Sequence, residues 1–222
     1  MKLVWSPETA SKAYIDTVKS CRSFKEHSGV EELLSAMAAG WNAKLIVQAW
    51  LRGEPIPTSI GLAIAARHAC GRHVCIVPDE QSRQEYVEAV RAYADGSPAT
   101  EVVVGEAEAA MEGLVGVDFL VVDCERGDFA RVLRVARLSP RGAVLACKNA
   151  CKGNVSGFGW HGALESGTRV VRTVLLPMGK GSGLDIAHIG SKGTGPPVSR
   201  KGPSRWIKHI DARSGEEHLF RW

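Results

Sequence analysis

The 222-residue chain is 45% hydrophobic and carries 28 Lys/Arg against 24 Asp/Glu, enough to bury the full core of one compact domain. The opening "MKLVWSPETA" turns polar at Ser6, Pro7 and Glu8, and no run approaches the ~18 apolar residues of a membrane span; a soluble, cytoplasmic protein is expected, with the nucleus left open and no membrane partner. Residues 191–222 hold seven Lys/Arg and three Asp/Glu, so the remaining 190 residues carry 21 charges of each sign. A neutral body has no electrostatic footprint for nucleic acid, which only the basic tail could touch.

In chain order, "SPETASKAYIDTVKSC" begins with Ser6 as N-cap, Pro7 at the first helical position and Glu8 in the first turn, and predicts a helix to about Cys21. "GVEELLSAMAAGW" places Val30, Leu33, Leu34 and Met37 on one helical face, stopped at Gly40. The period then changes. "AKLIVQAW" (43–50), "RHVCIVP" (72–78), "ATEVVVG" (99–105), "VDFLVVDC" (117–124) and "GAVLACKN" (142–149) are short apolar runs suited to strands covered on both faces. Segments with helical spacing lie between them, which predicts right-handed crossovers and a doubly wound, mostly parallel α/β sheet. After the Gly-rich "CKGNVSGFGWHGALESG", the closely joined "TRVVRTVLLPMG" and "GLDIAHIG" should pair antiparallel. The organisation expected is an α/β domain over 1–190, a breaker-rich linker over 191–205 and a terminal β-hairpin over 206–222.

"VDFLVVDCERGDF" sets Asp123 directly after a buried strand, with no room for a solvated loop. Its carboxylate must therefore emerge at the strand's C-terminal end, where ligands bind in open α/β sheets. Lys148 and Asn149 end the next strand in the same way.

The run from "VVVGEAEAAMEG" through "VDFLVVDCERGDF" to "PRGAVLACKNA", with "VLLPMGKGSGLDIAHI" after it, resembles the S-adenosylmethionine-dependent methyltransferases, in particular the small-molecule O-methyltransferases acting on catechols and caffeoyl thioesters. The likeness covers roughly residues 30–190, and the whole chain is more similar still to a plant family placed in that superfamily by fold. The resemblance implies a seven-stranded sheet with an antiparallel terminal hairpin, S-adenosylmethionine as cofactor and an aromatic or other small molecule as substrate; the oligomeric state is not implied. It puts Glu106 of "GEA" against the adenine amino group, the alternative being a solvated first-turn residue favoured by the helix dipole. Gln48 stands where the family has an acid. Trp50 stands in a turn where "VQAWLRGEPIPTS" has one glycine and two prolines instead of a Gly-rich loop. Thr58 and Ser59 open the next helix, either as a plain N-cap or as an anion cradle. The ribose acid falls on Pro78, with Asp79 and Glu80 immediately after.

In metal-dependent members the position of Asp123 and an Asp-Asn pair supply three oxygens to a divalent cation. Here that pair is Lys148-Asn149, so an ammonium falls where the ion would lie and no metal is expected. Lys148 is read either as an ion-pair partner of Asp123 or, with Asp123 and Asn149, as part of a catalytic group acting on a substrate hydroxyl. "HACGRHVC" carries zinc-like residue types without the spacing of common fingers. The six cysteines form no CxxC pair and are expected to be reduced thiols. Trp41, Trp50, Phe158 and Trp160 are candidates for a substrate wall or for core packing. Two functions remain open: a metal-independent methyl transfer, and a non-catalytic binding or scaffold protein on the same fold.

Overall fold

A computed structural model describes residues 5–24, 28–93, 100–150, 159–178 and 183–191, with the backbone of 206–210 and 217–221. The chain divides into two compact units, Met1–Lys192 and Gly193–Trp222.

The first unit opens with α1 (Pro7–Cys21) and α2 (Val30–Gly40). Ser6 caps α1, its Oγ accepting from the Thr9 N–H at 3.4 Å. The central strands β1 (Leu45–Ala49), β2 (Arg72–Val77), β5 (Phe119–Asp123) and β7 (Ala143–Lys148) are almost wholly buried along their length. β3 (Glu101–Val104) is more exposed, as an edge strand is. β8 (Val170–Pro177) and β9 (Gly183–Ile189) close the chain order of the sheet, while β4 (Val115–Val117) and β6 (Arg137–Leu138) form a separate two-stranded parallel patch. The seven-stranded sheet runs β3-β2-β1-β5-β7-β9-β8, parallel except for β9, which is antiparallel to both β7 and β8.

The connections are helices: α3 (Pro57–His68), α4 (Glu80–Tyr93), α5 (Ala107–Glu112), α6 (Phe129–Val135) and the short α7 (Trp160–Ala163). α1 to α4 cover one face, where Leu34, Ile60, Leu62 and Tyr86 pack on Ile46, Cys75, Val121 and Ala146. α5 to α7 cover the other, through Met111, Val132, Leu133 and Trp160 against Val47, Leu120, Val122 and Leu145. Burial on both faces explains why these strands read as continuous apolar runs. α3 lies so close to α1 and α2 that a Cβ on Gly61 would come within 2.7 Å of the Glu31 carbonyl oxygen, so the residue there must be glycine. Asp118 ties the strands together at their N-terminal ends: it accepts from the Lys44 and Leu45 N–H groups and from Arg141.

β2 and β3 lie on one side of β1, and β5 and β7 on the other. The crossover direction therefore reverses between β1 and β5, which opens a crevice at their C-terminal ends. The second unit contains an antiparallel hairpin of β10 (Trp206–Ile210) and β11 (Glu217–Arg221). No helix among the described residues is long and apolar enough to cross a membrane.

Candidate functional site

The register of β5 and β7 places Asp123 directly beside Lys148. Asp123 Oδ1 accepts the Glu125 N–H at 2.9 Å and Oδ2 accepts from Asn149 Nδ2 at 2.8 Å. Asn149 adopts φ +58°, a left-handed conformation that asparagine tolerates better than most side chains; it ends β7 and lets the amide turn back to Asp123. Lys148 Nζ lies 3.7 Å from Asp123 Oδ2, the ion pair expected of these strand ends.

A third group joins them. Glu54, from the loop after β1, brings Oε2 to 3.5 Å from Lys148 Nζ, so the ammonium sits between two carboxylates. The loop is folded to do this: the Glu54 carbonyl accepts from the Trp50 indole N–H at 3.2 Å, and Glu54 Oε1 accepts the Leu51 N–H at 3.2 Å. Burial holds the Glu54 carboxyl above the usual carboxylate range; Lys148 opposes this and Asp123 adds to it. Arg126, in the turn after β5, is nine-tenths buried and grips Asp128 with Nε and Nη2 at 2.9 and 2.8 Å. Among the described residues its third nitrogen, Nη1, is buried without a hydrogen-bond partner, and Glu54 Oε2 has the Lys148 ammonium at 3.5 Å but no hydrogen bond.

Around β1, Gln48 is fully buried and its Oε1 accepts from Ser59 Oγ at 3.0 Å, while its Nε2 has no hydrogen-bond partner among the described residues. Thr58 and Ser59 do not cap α3: Pro57 is already helical, the cap position is Ile56, and no side chain caps it. Ser59 instead spends its hydroxyl on Gln48. Trp50 is a core residue, 2% exposed and edge-on to Tyr86 at 5.4 Å.

Asp79 lies beyond the end of β2, and its Oδ1 accepts the Ser82 N–H at 2.7 Å, fixing the first turn of α4. Glu80 pairs with Arg83 on the exposed face of the same helix. Glu106 is exposed at the start of α5 and its side chain makes no capping bond. Before it, Gly105 has φ +150° and open space where a Cβ would stand.

The structure thus brings Asp123, Lys148 and Asn149 together, and Gln48 with Ser59. Asp79, Glu80 and Glu106 stand apart, at the ends of β2 and β3. Glu54 and Arg126 are the members that sequence reasoning missed. The zinc-like stretch is dispersed: His68 bonds Asp16, His73 bonds Thr100, and Cys75 is buried within β2. Among the described residues no group of three or more His, Cys, Asp or Glu could hold a metal ion. Trp160 is buried against β5 and β7, Trp41 packs edge-on to Trp5 and His188, and Phe158 lies outside the described residues.

A parallel sheet with one antiparallel strand inserted before its last edge, and a crevice over β1 and β5, defines the fold of the S-adenosylmethionine-dependent methyltransferases. Solved structures agree. The chain is similar to cofactor-bound Rv0187 from MTB (19% identity, 82% of this chain and 90% of that one, TM-score 0.55). It is similar to a methyltransferase from Geobacter sulfurreducens (20%, 82% and 89%, 0.53) and to the SAH-bound Podospora anserina methyltransferase PaMTH1 (15%, 85% and 90%, 0.54). At these identities the likeness is one of fold. No curated protein matches the chain. Over residues 1–222 it matches the family described as "Protein of unknown function (DUF1442)", and it belongs to that family.

Proposed function

We propose that the chain binds S-adenosylmethionine in the crevice over β1 and β5 and transfers its methyl group to a small molecule without a metal ion. The observation that carries the second half is Lys148: its ammonium lies between Asp123 and Glu54, so a divalent ion there would meet a like charge within a few ångströms.

The residues fit the cofactor at its two ends. Gln48 has a buried amide nitrogen that meets no acceptor among the described residues, beside the first turn of α3, suited to the carboxylate of an amino-acid tail. Gly105 leaves open space ahead of Glu106, whose carboxylate can accept from an adenine amino group. Asp79 and Glu80 stand at the end of β2, where ribose hydroxyls would come. Trp50 acts from behind, holding the loop that carries Glu54. When bound, the cofactor supplies an electrophilic methyl group on a sulfonium. Asp123 and Asn149 fix the position of Lys148, and the three orient the acceptor, since in-line transfer chiefly demands positioning.

Calorimetric titration with S-adenosylmethionine and with its demethylated product tests this reading, and heat of binding is expected for both. One observation favours a second reading, a non-catalytic binding protein on the same fold: the carboxylate nearest the ribose position, Asp79, is already engaged in capping α4. Absence of heat at a protein concentration near ~100 μM, which would pass over only weaker affinities, would favour that reading.

A further inference from the structure

The second unit contains a two-stranded antiparallel ladder, β10 with β11. A lone hairpin is only marginally stable in water, so what its facing residues do for one another decides whether it forms. The register sets His209 of β10 directly against His218 of β11. Partners share a face of a ladder and successive pairs alternate. The Ile207/Phe220 pair therefore lies on the histidine face, while Lys208, Glu217 and Arg221 lie on the other. Within the ladder the two histidines share their face with no other titratable residue.

Left to itself such a pair does little for the hairpin, and when both rings are protonated they repel across the strands. Directly opposed residues have Cβ atoms about 4.5–5.5 Å apart, a spacing from which two imidazoles can each bring one nitrogen to about 2.0–2.1 Å from a shared zinc ion. The sequence "HIDARSGEEH" also sets a carboxylate two residues from each histidine, Asp211 after His209 and Glu216 before His218. Both lie outside the described residues, but they keep oxygen donors close in the chain. Imidazole with carboxylate suits zinc, nickel and copper, whereas magnesium demands oxygen ligands alone. We infer that His209 and His218, paired across β10 and β11, form a binding site for a zinc-class divalent metal ion that staples the terminal hairpin. Each ring sheds any proton it carries and donates one nitrogen lone pair to the ion. In the unfolded tail the two histidines are nine residues apart in sequence with no fixed geometry, so the free energy of metal binding becomes free energy of hairpin folding.

The test titrates zinc into the full chain by calorimetry at about pH 7.5, where imidazole is neutral. Wild type should bind, and His209→Ala or His218→Ala should each weaken that binding by about a hundredfold or more, the advantage of holding one ion through two linked ligands. The double variant should add little to either single loss, and His161→Ala, at an exposed position of the first unit, should change nothing. Lowering the pH to about 5.5 should weaken wild-type binding by up to about a hundredfold, because both rings must lose a proton to bind. Amide exchange supplies a readout that needs no variant: at a zinc concentration about 100 times the dissociation constant, exchange in 206–210 and 217–221 should slow by about a hundredfold. Absence of zinc binding by wild type, binding unchanged in both single variants, two ions lost one with each histidine, or exchange in the two strands unaffected by zinc would overturn the inference.

Discussion

Replacing Lys148 with methionine is the perturbation whose size the structure fixes best. The side chain is 13% exposed and stands between Asp123, 9% exposed, and Glu54, 16% exposed. Methionine preserves most of the packing but leaves two carboxylates facing each other, with Arg126 still acting on Glu54 electrostatically. Removing one partner from a buried ion pair costs about 3–5 kcal/mol. Here the loss is limited, because Glu54 already has a raised pKa and can take up a proton. The sign follows from that protonation. In the variant the folded-state pKa of Glu54 rises further above its unfolded value, so its contribution is retained at low pH and lost as pH rises through the folded pKa. Urea denaturation should therefore show a loss of about 3 kcal/mol at pH 7 and a loss smaller by about 1–2 kcal/mol at pH 5. A loss below about 1 kcal/mol, the size of a solvated surface pair, or one that does not change with pH, would refute the buried three-group arrangement.

Glu106→Ala should weaken S-adenosylmethionine binding by about tenfold or more in a calorimetric titration, as the loss of a charge-assisted hydrogen bond does. Asp79→Ala should lower the thermal midpoint and weaken binding less than Glu106→Ala, because Asp79 is committed to Ser82; a larger binding loss would mean that Asp79 leaves its cap for the ribose. His73 is fully buried, and desolvation pushes its pKa down to about 3. The unfolded chain thus takes up a proton that the folded chain refuses, so His73 should make stability fall by about 1.4 kcal/mol per pH unit below ~6.5, and His73→Leu should reduce the slope seen in urea titrations by about that much, leaving the part due to His188, which burial also depresses. Truncation after Gly190 should leave a folded domain; an insoluble product, or a midpoint lower by more than ~10 °C, would show that the tail completes the core.

The strand ends were legible because their sequences leave little choice. "VDFLVVDC" and "GAVLACKN" are apolar up to the residue that carries charge, so the pairing of β5 and β7 puts Asp123 against Lys148 without any knowledge of loops. The antiparallel relation of β8 to β9 followed from their closeness in the chain, but the insertion of β9 between β7 and β8 depends on which strand edge is free. Glu54 was hidden for a different reason. Its backbone follows a path set by Trp50 and by Gly53 at φ +84°, and no periodicity reports where such a loop points. A carboxylate between Gly53 and Pro55 beside an otherwise apolar strand end was the only signal. Serine favours a cap position, which makes Ser59 a cap candidate from sequence, yet Pro57 begins the helix earlier and turns Ser59 inward to Gln48. Asp79 illustrates the reverse: the spacing to Ser82 is that of a helix cap, and local satisfaction of a backbone N–H decided where the carboxylate went.

On the reading proposed above, an ammonium held by carboxylates takes the place of a metal ion between the ends of β5 and β7. Titration of magnesium into wild type and into Lys148→Asp, followed by calorimetry, tests it most directly. No binding is predicted for wild type, and binding is predicted for the variant, whose Asp123, Asn149 and new carboxylate offer oxygen ligands without the opposing charge. Micromolar binding of magnesium by wild type would contradict the account.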